Sequence, residues 1–295
     1  MPHLITRSMA LLVCALVSPA NAHAPVADSG SGVSIVIGLL ALFGLGYAAG
    51  VARLHRHVTA RRELYWRAAA FTAGWTTLAI ALLSPLDAAA VTAFSLHMVQ
   101  HELLMLAAAP LLVLGRGLPT LLWAFPHDVR VTLGRASKAS WVRDVWRGLT
   151  APLTAWLLHA AALWVWHIPA LFNAALGNPA LHDLQHASFL LTALIFWHAL
   201  LRHGAHPARG GAILYLFTTT VHTGVLGALL TFARTPLYAP FDTGLRMAGS
   251  LTPLEDQQLG GLIMWVPGAL VYIGVALTLL ARWLNESART AGDLK

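Results

Sequence analysis

The chain has 295 residues, 57% of them hydrophobic and 11% charged, with a formal net charge of +7. Soluble domains carry about 25% charged residues, so this composition excludes a water-facing globular surface of that size. The basic balance does not point to nucleic acid, because the arginines sit between apolar segments, where they orient a membrane protein.

The first 22 residues read as a secretory signal. Arg7 supplies the positive start, Met9 to Val17 an apolar core too short for a full span, and Ala20-Asn21-Ala22 an A-x-A cleavage site. Cleavage would leave His23 as the first residue and remove Cys14, the one cysteine. Any metal would then be held by His, Met, carboxylate or backbone. An N-terminal His23, with its α-amine and imidazole, would itself chelate a cupric ion.

Residues 23–295 read as a single transmembrane domain. Seven apolar segments follow the signal, near 33–54, 65–85, 91–114, 152–173, 181–201, 211–233 and 258–283. Crossing a bilayer takes roughly 20 residues, and a lipid-exposed backbone must satisfy its own hydrogen bonds, so each segment is predicted helical. The fold class is therefore all-α, a polytopic bundle of seven transmembrane helices with its N-terminus outside and C-terminus inside. Sixteen of the nineteen lysines and arginines fall on the inside under this topology; Arg234 and Arg246 fall outside. Six acids, Asp28, Asp87, Asp183, Asp242, Glu255 and Asp256, share the outer side. That face would attract cations, or its acids simply avoid the inner leaflet. The longest inside loop, 115–151, carries Trp123, Trp141 and Trp146 among arginines and reads as one or two interfacial helices.

Given this topology, each histidine acquires a depth. His97 and His101 lie four apart on one helix face, with Met98, Glu102 and Met105 beside it. His182 and His186 repeat the spacing in the fifth span. His167 precedes Pro169 near the outer end of the fourth, His222 lies mid-span in the sixth, and Asp256 opens the seventh. At 1.5 Å per residue, His97 and His186 lie roughly 9 Å below the outer ends of their helices. Ionisable groups inside spans are costly and default to a functional reading. Imidazole suits copper, zinc and iron, and a nearby thioether favours Cu(I). A lone buried histidine usually hydrogen-bonds a neighbouring helix; His159 and His222, taken singly, read that way. His55, His57, His127, His203 and His206 belong to basic inner loops, and His198 lies near the inner end of its span.

The segment Ser95-Leu96-His97-Met98-Val99-Gln100-His101, running on to Ala109-Pro110-Leu111-Leu112-Val113-Leu114-Gly115, resembles the CtaG-type cytochrome c oxidase assembly factors. So do Ser84-Pro85-Leu86-Asp87, Trp166-His167-Ile168-Pro169, and Asp256-Gln257-Gln258-Leu259-Gly260-Gly261 with Met264-Trp265. The resemblance implies a multi-pass protein of the bacterial inner membrane that helps build a haem-copper oxidase. Its partners would be an oxidase subunit and a periplasmic copper chaperone. A differently built soluble chaperone shares the CtaG name but uses cysteine ligands, so its mechanism does not carry over.

The expected function is thus a metallochaperone without catalysed turnover. Its copper ligands are drawn from His97, His101, His182, His186, His167, Asp256, His222, Met98 and His23. Facing histidines could instead ligate haem, and polar spans are also compatible with a copper transporter.

Overall fold

The computed structural model describes residues 29–203, 209–238, 241 and 251–292. The expected signal segment, His23 and His206 lie outside these residues, as does the side chain of His203. The described residues are helical with no strand: α1 (Ser29–Leu54), α2 (Arg61–Leu83), α3 (Pro85–Ala90), α4 (Phe94–Glu102), a π-helical turn (Leu103–Ala108), α5 (Ala109–Leu114), α6 (Gly117–Leu122), α7 (His127–Ala136), α8 (Ser140–Leu149), α9 (Pro152–Trp166), α10 (Pro169–Gly177), α11 (Pro179–His203), α12 (Arg209–Thr231) and α13 (Pro253–Gly292).

Among the described residues, five stretches are long and apolar enough to cross a membrane: Val33–Leu54, Phe94–Leu114, Pro179–Leu201, Gly210–Thr231 and Pro253–Ser287. The chain is a multi-pass membrane protein. The second expected span is a helix, α2, but Arg67 and three threonines dilute its apolar run. The fourth, expected to be continuous over 152–173, is interrupted. Pro169 forces Ile168 into an extended conformation (φ −63°, ψ 123°), so α9 stops at Trp166 after 15 residues and α10 starts afresh. Only when joined end to end are α8 and α9 long and apolar enough to span. The expected interfacial helices correspond to α7 and α8, neither of which buries a residue.

The chain falls into two compact units. One comprises residues 1–88 and 103–148, the other 89–102 and 149–295. In the first, α2 packs on the π-helical turn and α5, and α1 packs on α6. Its centre is a stack of Tyr47 on Phe71 (centroids 3.5 Å apart), closed by hydrogen bonds from the Tyr47 hydroxyl to the Gly115 carbonyl (3.0 Å) and from the Trp75 indole to the Leu40 carbonyl (3.1 Å).

In the second unit, α13 lies along α12 and α4, while α9 and α10 pack on α11. Four of its helices, α9, α10, α11 and α13, begin with proline, whose missing N–H costs nothing in a first turn. Asn178 caps α11 by accepting from the Ala180 and Leu181 amides (3.0 and 3.3 Å). Thr252 and Glu255 form a reciprocal capping box at the start of α13. Two glycines let α13 approach its neighbours. A Cβ on Gly260 would strike the Phe94 ring, and one on Gly261 would stand 2.7 Å from the Gly227 carbonyl.

Candidate metal centre

The second unit gathers five histidines from three elements. Helix α4 supplies His97 and His101, α11 supplies His182 and His186, and His167 forms the C-cap of α9. The four-residue spacing within α4 and α11 puts each pair on one helix face, and ring centroids within the pairs are 4.3 and 4.2 Å apart. Across the helices, His97 lies 5.3 Å from His182 and 5.9 Å from His186, and His101 lies 5.2 Å from His186. His167 stands 6.4 Å from His101.

One nitrogen from each of His97, His182 and His186 lies within 4.8 Å of the other two. Ligand atoms about 2.0–2.1 Å from a tetrahedral ion stand roughly 3.4 Å apart, so small side-chain rotations would close this triangle on an ion. His97 and His101 are almost fully buried, and neither forms a hydrogen bond through either ring nitrogen. The Nε2 atoms of His167 and His186 are likewise buried without a hydrogen-bond partner. More than nine in ten buried polar groups in folded proteins are partnered, so this concentration marks a place built for something other than packing.

The tautomer of His167 follows from its position. Its Nδ1–H donates to the Leu163 carbonyl (2.7 Å), which also accepts from the His167 amide (3.3 Å) at the end of α9. The proton on Nδ1 leaves Nε2 as the lone-pair atom, the usual way a second hydrogen bond prepares an imidazole for a metal. The His167 carbonyl in turn accepts from the Tyr238 hydroxyl (3.0 Å). Burial pushes the Tyr238 phenol well above its usual range, so it stays a neutral donor.

Aromatic rings wall the cluster. Phe172 contacts His97 (5.2 Å) and His167 (6.1 Å), Phe189 contacts His101 (4.7 Å), and Phe241 contacts His97 (6.3 Å). Phe94 stacks on Tyr238 (4.7 Å) behind them. Sequence reasoning missed these rings, as it missed Gln185, which is fully buried with neither side-chain polar atom hydrogen-bonded. Gln185 was within reach of the same spacing argument: it lies three residues after His182 and so shares that face.

The remaining candidates sit elsewhere. Asp256 accepts from the Phe94 amide (2.7 Å), the Ser95 amide (3.3 Å) and the Ser95 hydroxyl (2.5 Å). Both its oxygens are therefore spent on the N-terminus of α4. Met98 is buried beside Gly260 of α13. His222 sets its ring against Trp156 (5.2 Å), and His159 bonds the Thr192 hydroxyl through Nδ1 (3.2 Å). Glu102, at the end of α4, keeps Oε2 buried without a hydrogen-bond partner just before the π-helical turn. Such turns are frequent at functional sites.

The family model for the cytochrome c oxidase caa3 assembly factor (Caa3_CtaG) matches residues 45–286, which include every helix of this cluster. The chain belongs to the caa3 assembly factor family. Its curated relatives include uncharacterized proteins of Mycobacterium bovis and Mycobacterium tuberculosis. Each is 27% identical over 260 residues, covering 85% of this chain and 38% of the relative. A Mycobacterium leprae protein is 25% identical over 270 residues, covering 87% and 40%. The chain thus spans about two fifths of the length of these relatives. No solved structure matches it.

Membership in the caa3 assembly factor family gives the Asp256-Gln257-Gln258-Leu259-Gly260-Gly261 motif a structural meaning. Asp256 holds α4. Gln257 accepts from the Leu237 amide (2.6 Å) and donates to the Leu230 carbonyl (3.5 Å), and Gln258 donates to the Ala233 carbonyl (3.2 Å). The two glutamines thereby tie down the end of α12, and the two glycines allow the close approach. The motif is the joint that sets α4 and its histidines against α12 and α13.

Proposed function

We propose that this caa3 assembly factor binds copper in the bacterial inner membrane and passes it to a subunit of a haem-copper oxidase. The observation that carries the reading is the triangle of His97, His182 and His186, each offering a nitrogen within 4.8 Å of the others. Imidazoles without carboxylate suit a soft or borderline ion rather than magnesium or calcium, which prefer oxygen. The copper is cargo. Three imidazoles leave a fourth position open for a ligand from the recipient, so release proceeds by exchange rather than by dissociation into the bilayer. A periplasmic copper chaperone is the donor in this reading. The topology is seven spans with the N-terminus outside, α2 and the proline-broken α9–α10 segment completing the count.

Haem is the less favoured occupant. Neighbouring rings stand 4.2–6.4 Å apart in a cluster lined by phenylalanines, and a porphyrin needs a wide slot between two opposed imidazoles.

The test is copper analysis with an optical spectrum on the reduced, detergent-purified protein. Copper at one equivalent or more, reduced by one equivalent in a His97→Ala/His182→Ala variant of normal helicity, supports the reading. Folded protein that holds no copper, or that shows a Soret band, overturns it.

A further inference from the structure

A single ion held by His97, His182 and His186 leaves part of the cluster unused. His101 is 1% exposed, and both its ring nitrogens are buried without a hydrogen bond. Beside it, His167 has its tautomer fixed by the Leu163 carbonyl and turns a buried, unbonded Nε2 away from that bond. Neither residue belongs to the three-histidine triangle. Packing does not explain them, because an unmet buried polar atom costs roughly 1–3 kcal/mol.

Their spacing fits a specific geometry. Two imidazoles on opposite sides of one ion, with metal–nitrogen bonds of about 2.0–2.1 Å, have ring centroids roughly 6 Å apart. The His101 and His167 centroids are 6.4 Å apart. Rings around a three-coordinate ion stand closer, at roughly 5.5 Å for the same bond length. The distances from His97 to His182 and His186, 5.3 and 5.9 Å, are close to that value, while His182 and His186 stand nearer, at 4.2 Å, and would turn apart to share the ion. Two groups of imidazoles therefore adjoin within one cluster, a triangle and a pair whose spacing suits opposed ligands. His186 lies 5.2 Å from His101 and 5.9 Å from His97 and is next to both.

Resting on the copper reading above, we infer that the cluster holds two ions, the second a monovalent copper between His101 and His167. A two-coordinate site with nitrogen ligands on opposite sides suits a soft d10 ion and excludes zinc, which takes four ligands. The phenylalanine faces of Phe172 and Phe189 beside this pair supply no further ligand and keep water away. With His186 adjacent to both positions, an ion can move between them by exchanging one imidazole at a time, never shedding all its ligands in the membrane.

The experiment is an anaerobic titration of the full detergent-solubilised chain with Cu(I) against a chromophoric chelator, combined with X-ray absorption on the loaded protein. Two coppers per chain are expected in the wild type. One is expected in His101→Gln and in His167→Gln, with the remaining copper showing a higher mean nitrogen coordination than the wild-type average. His182→Gln should also retain one copper, now two-coordinate. A wild-type protein that saturates at one copper overturns this inference and leaves the copper reading intact. A His167→Gln variant that still binds two overturns it as well. A folded wild type that binds none overturns both. The wild-type count decides even where a glutamine variant fails to fold.

Discussion

At the scale of single residues, the proposed copper site rests on the i,i+4 pairs rather than on a compact loop. A helix presents residues four apart as neighbours about 5–6 Å apart, so two such helices facing each other assemble four imidazoles with no loop at all. Removing a ligand should therefore cost more than removing an outer partner, whose loss typically costs 10–100-fold in metal affinity. For His97→Ala combined with His101→Ala we expect at least about a 100-fold loss of Cu(I) affinity and loss of oxidase maturation, with the protein still inserted in the membrane. The check is oxidase activity in membranes alongside immunodetection of the variant. Normal activity would remove these residues from the site. His127→Ala is the matched control: its ring is exposed in α7, next to Asp128, and both readouts should be unchanged.

Helix-level organisation puts Asp256 in a different role from the one its charge suggests. The first turn of α4 has no capping side chain of its own, since Ala93 precedes it, and the carboxylate arrives from α13, 162 residues away from Phe94. Charge-assisted bonds to backbone amides are among the stronger hydrogen bonds, and a helix N-terminus favours a negative charge. Asp256→Asn keeps the size but loses the charge and one acceptor. It should lower unfolding stability by about 0.5–2 kcal/mol and weaken Cu(I) binding by loosening the register of His97 and His101. Gln257→Ala should cost a similar amount of stability, because the Leu237 amide and Leu230 carbonyl lose a partner, while leaving Cu(I) affinity within about 3-fold of wild type. Denaturation and Cu(I) competition on both variants separate the two effects; equal losses of affinity would mean that Asp256 only stabilises the fold. This division was hidden from the sequence for a physical reason. The period of a helix fixes which residues share a face, so the two histidine pairs could be read directly. Which partner a side chain meets across 162 residues is a tertiary matter. Asp256 therefore read as a ligand, and Phe172, Phe189 and Tyr238 did not stand out from other apolar positions. His167 was legible in depth but not in function, because its tautomer depends on the break that Pro169 imposes.

For the molecule as a whole, the distribution of charge bears on which way the cluster faces. Helices α7 and α8, with their connection, carry Arg130, Arg135, Lys138, Arg143 and Arg147, and the exposed Trp141 and Trp146 sit among them. Arg130 lays its guanidinium over the Trp123 ring at 3.9 Å. The proposed topology puts this segment at the cytoplasmic interface, where arginine and lysine are retained during insertion. The turn between α10 and α11, at Asn178, lies in a stretch with no arginine or lysine between Pro169 and Arg202, and under the proposed topology it emerges on the other side of the membrane. The histidines His182 and His186 begin only four and eight residues beyond that turn, roughly 6 and 12 Å along the helix, so they sit in the outer half of the membrane under this topology. In a Cys14→Ser background, Asn178→Cys should react with a membrane-impermeant maleimide in intact spheroplasts. Ser137→Cys, in the basic segment, should react only after permeabilisation. The reverse pattern would turn the histidine cluster toward the cytoplasm, and copper would then have to reach the oxidase from the inner side.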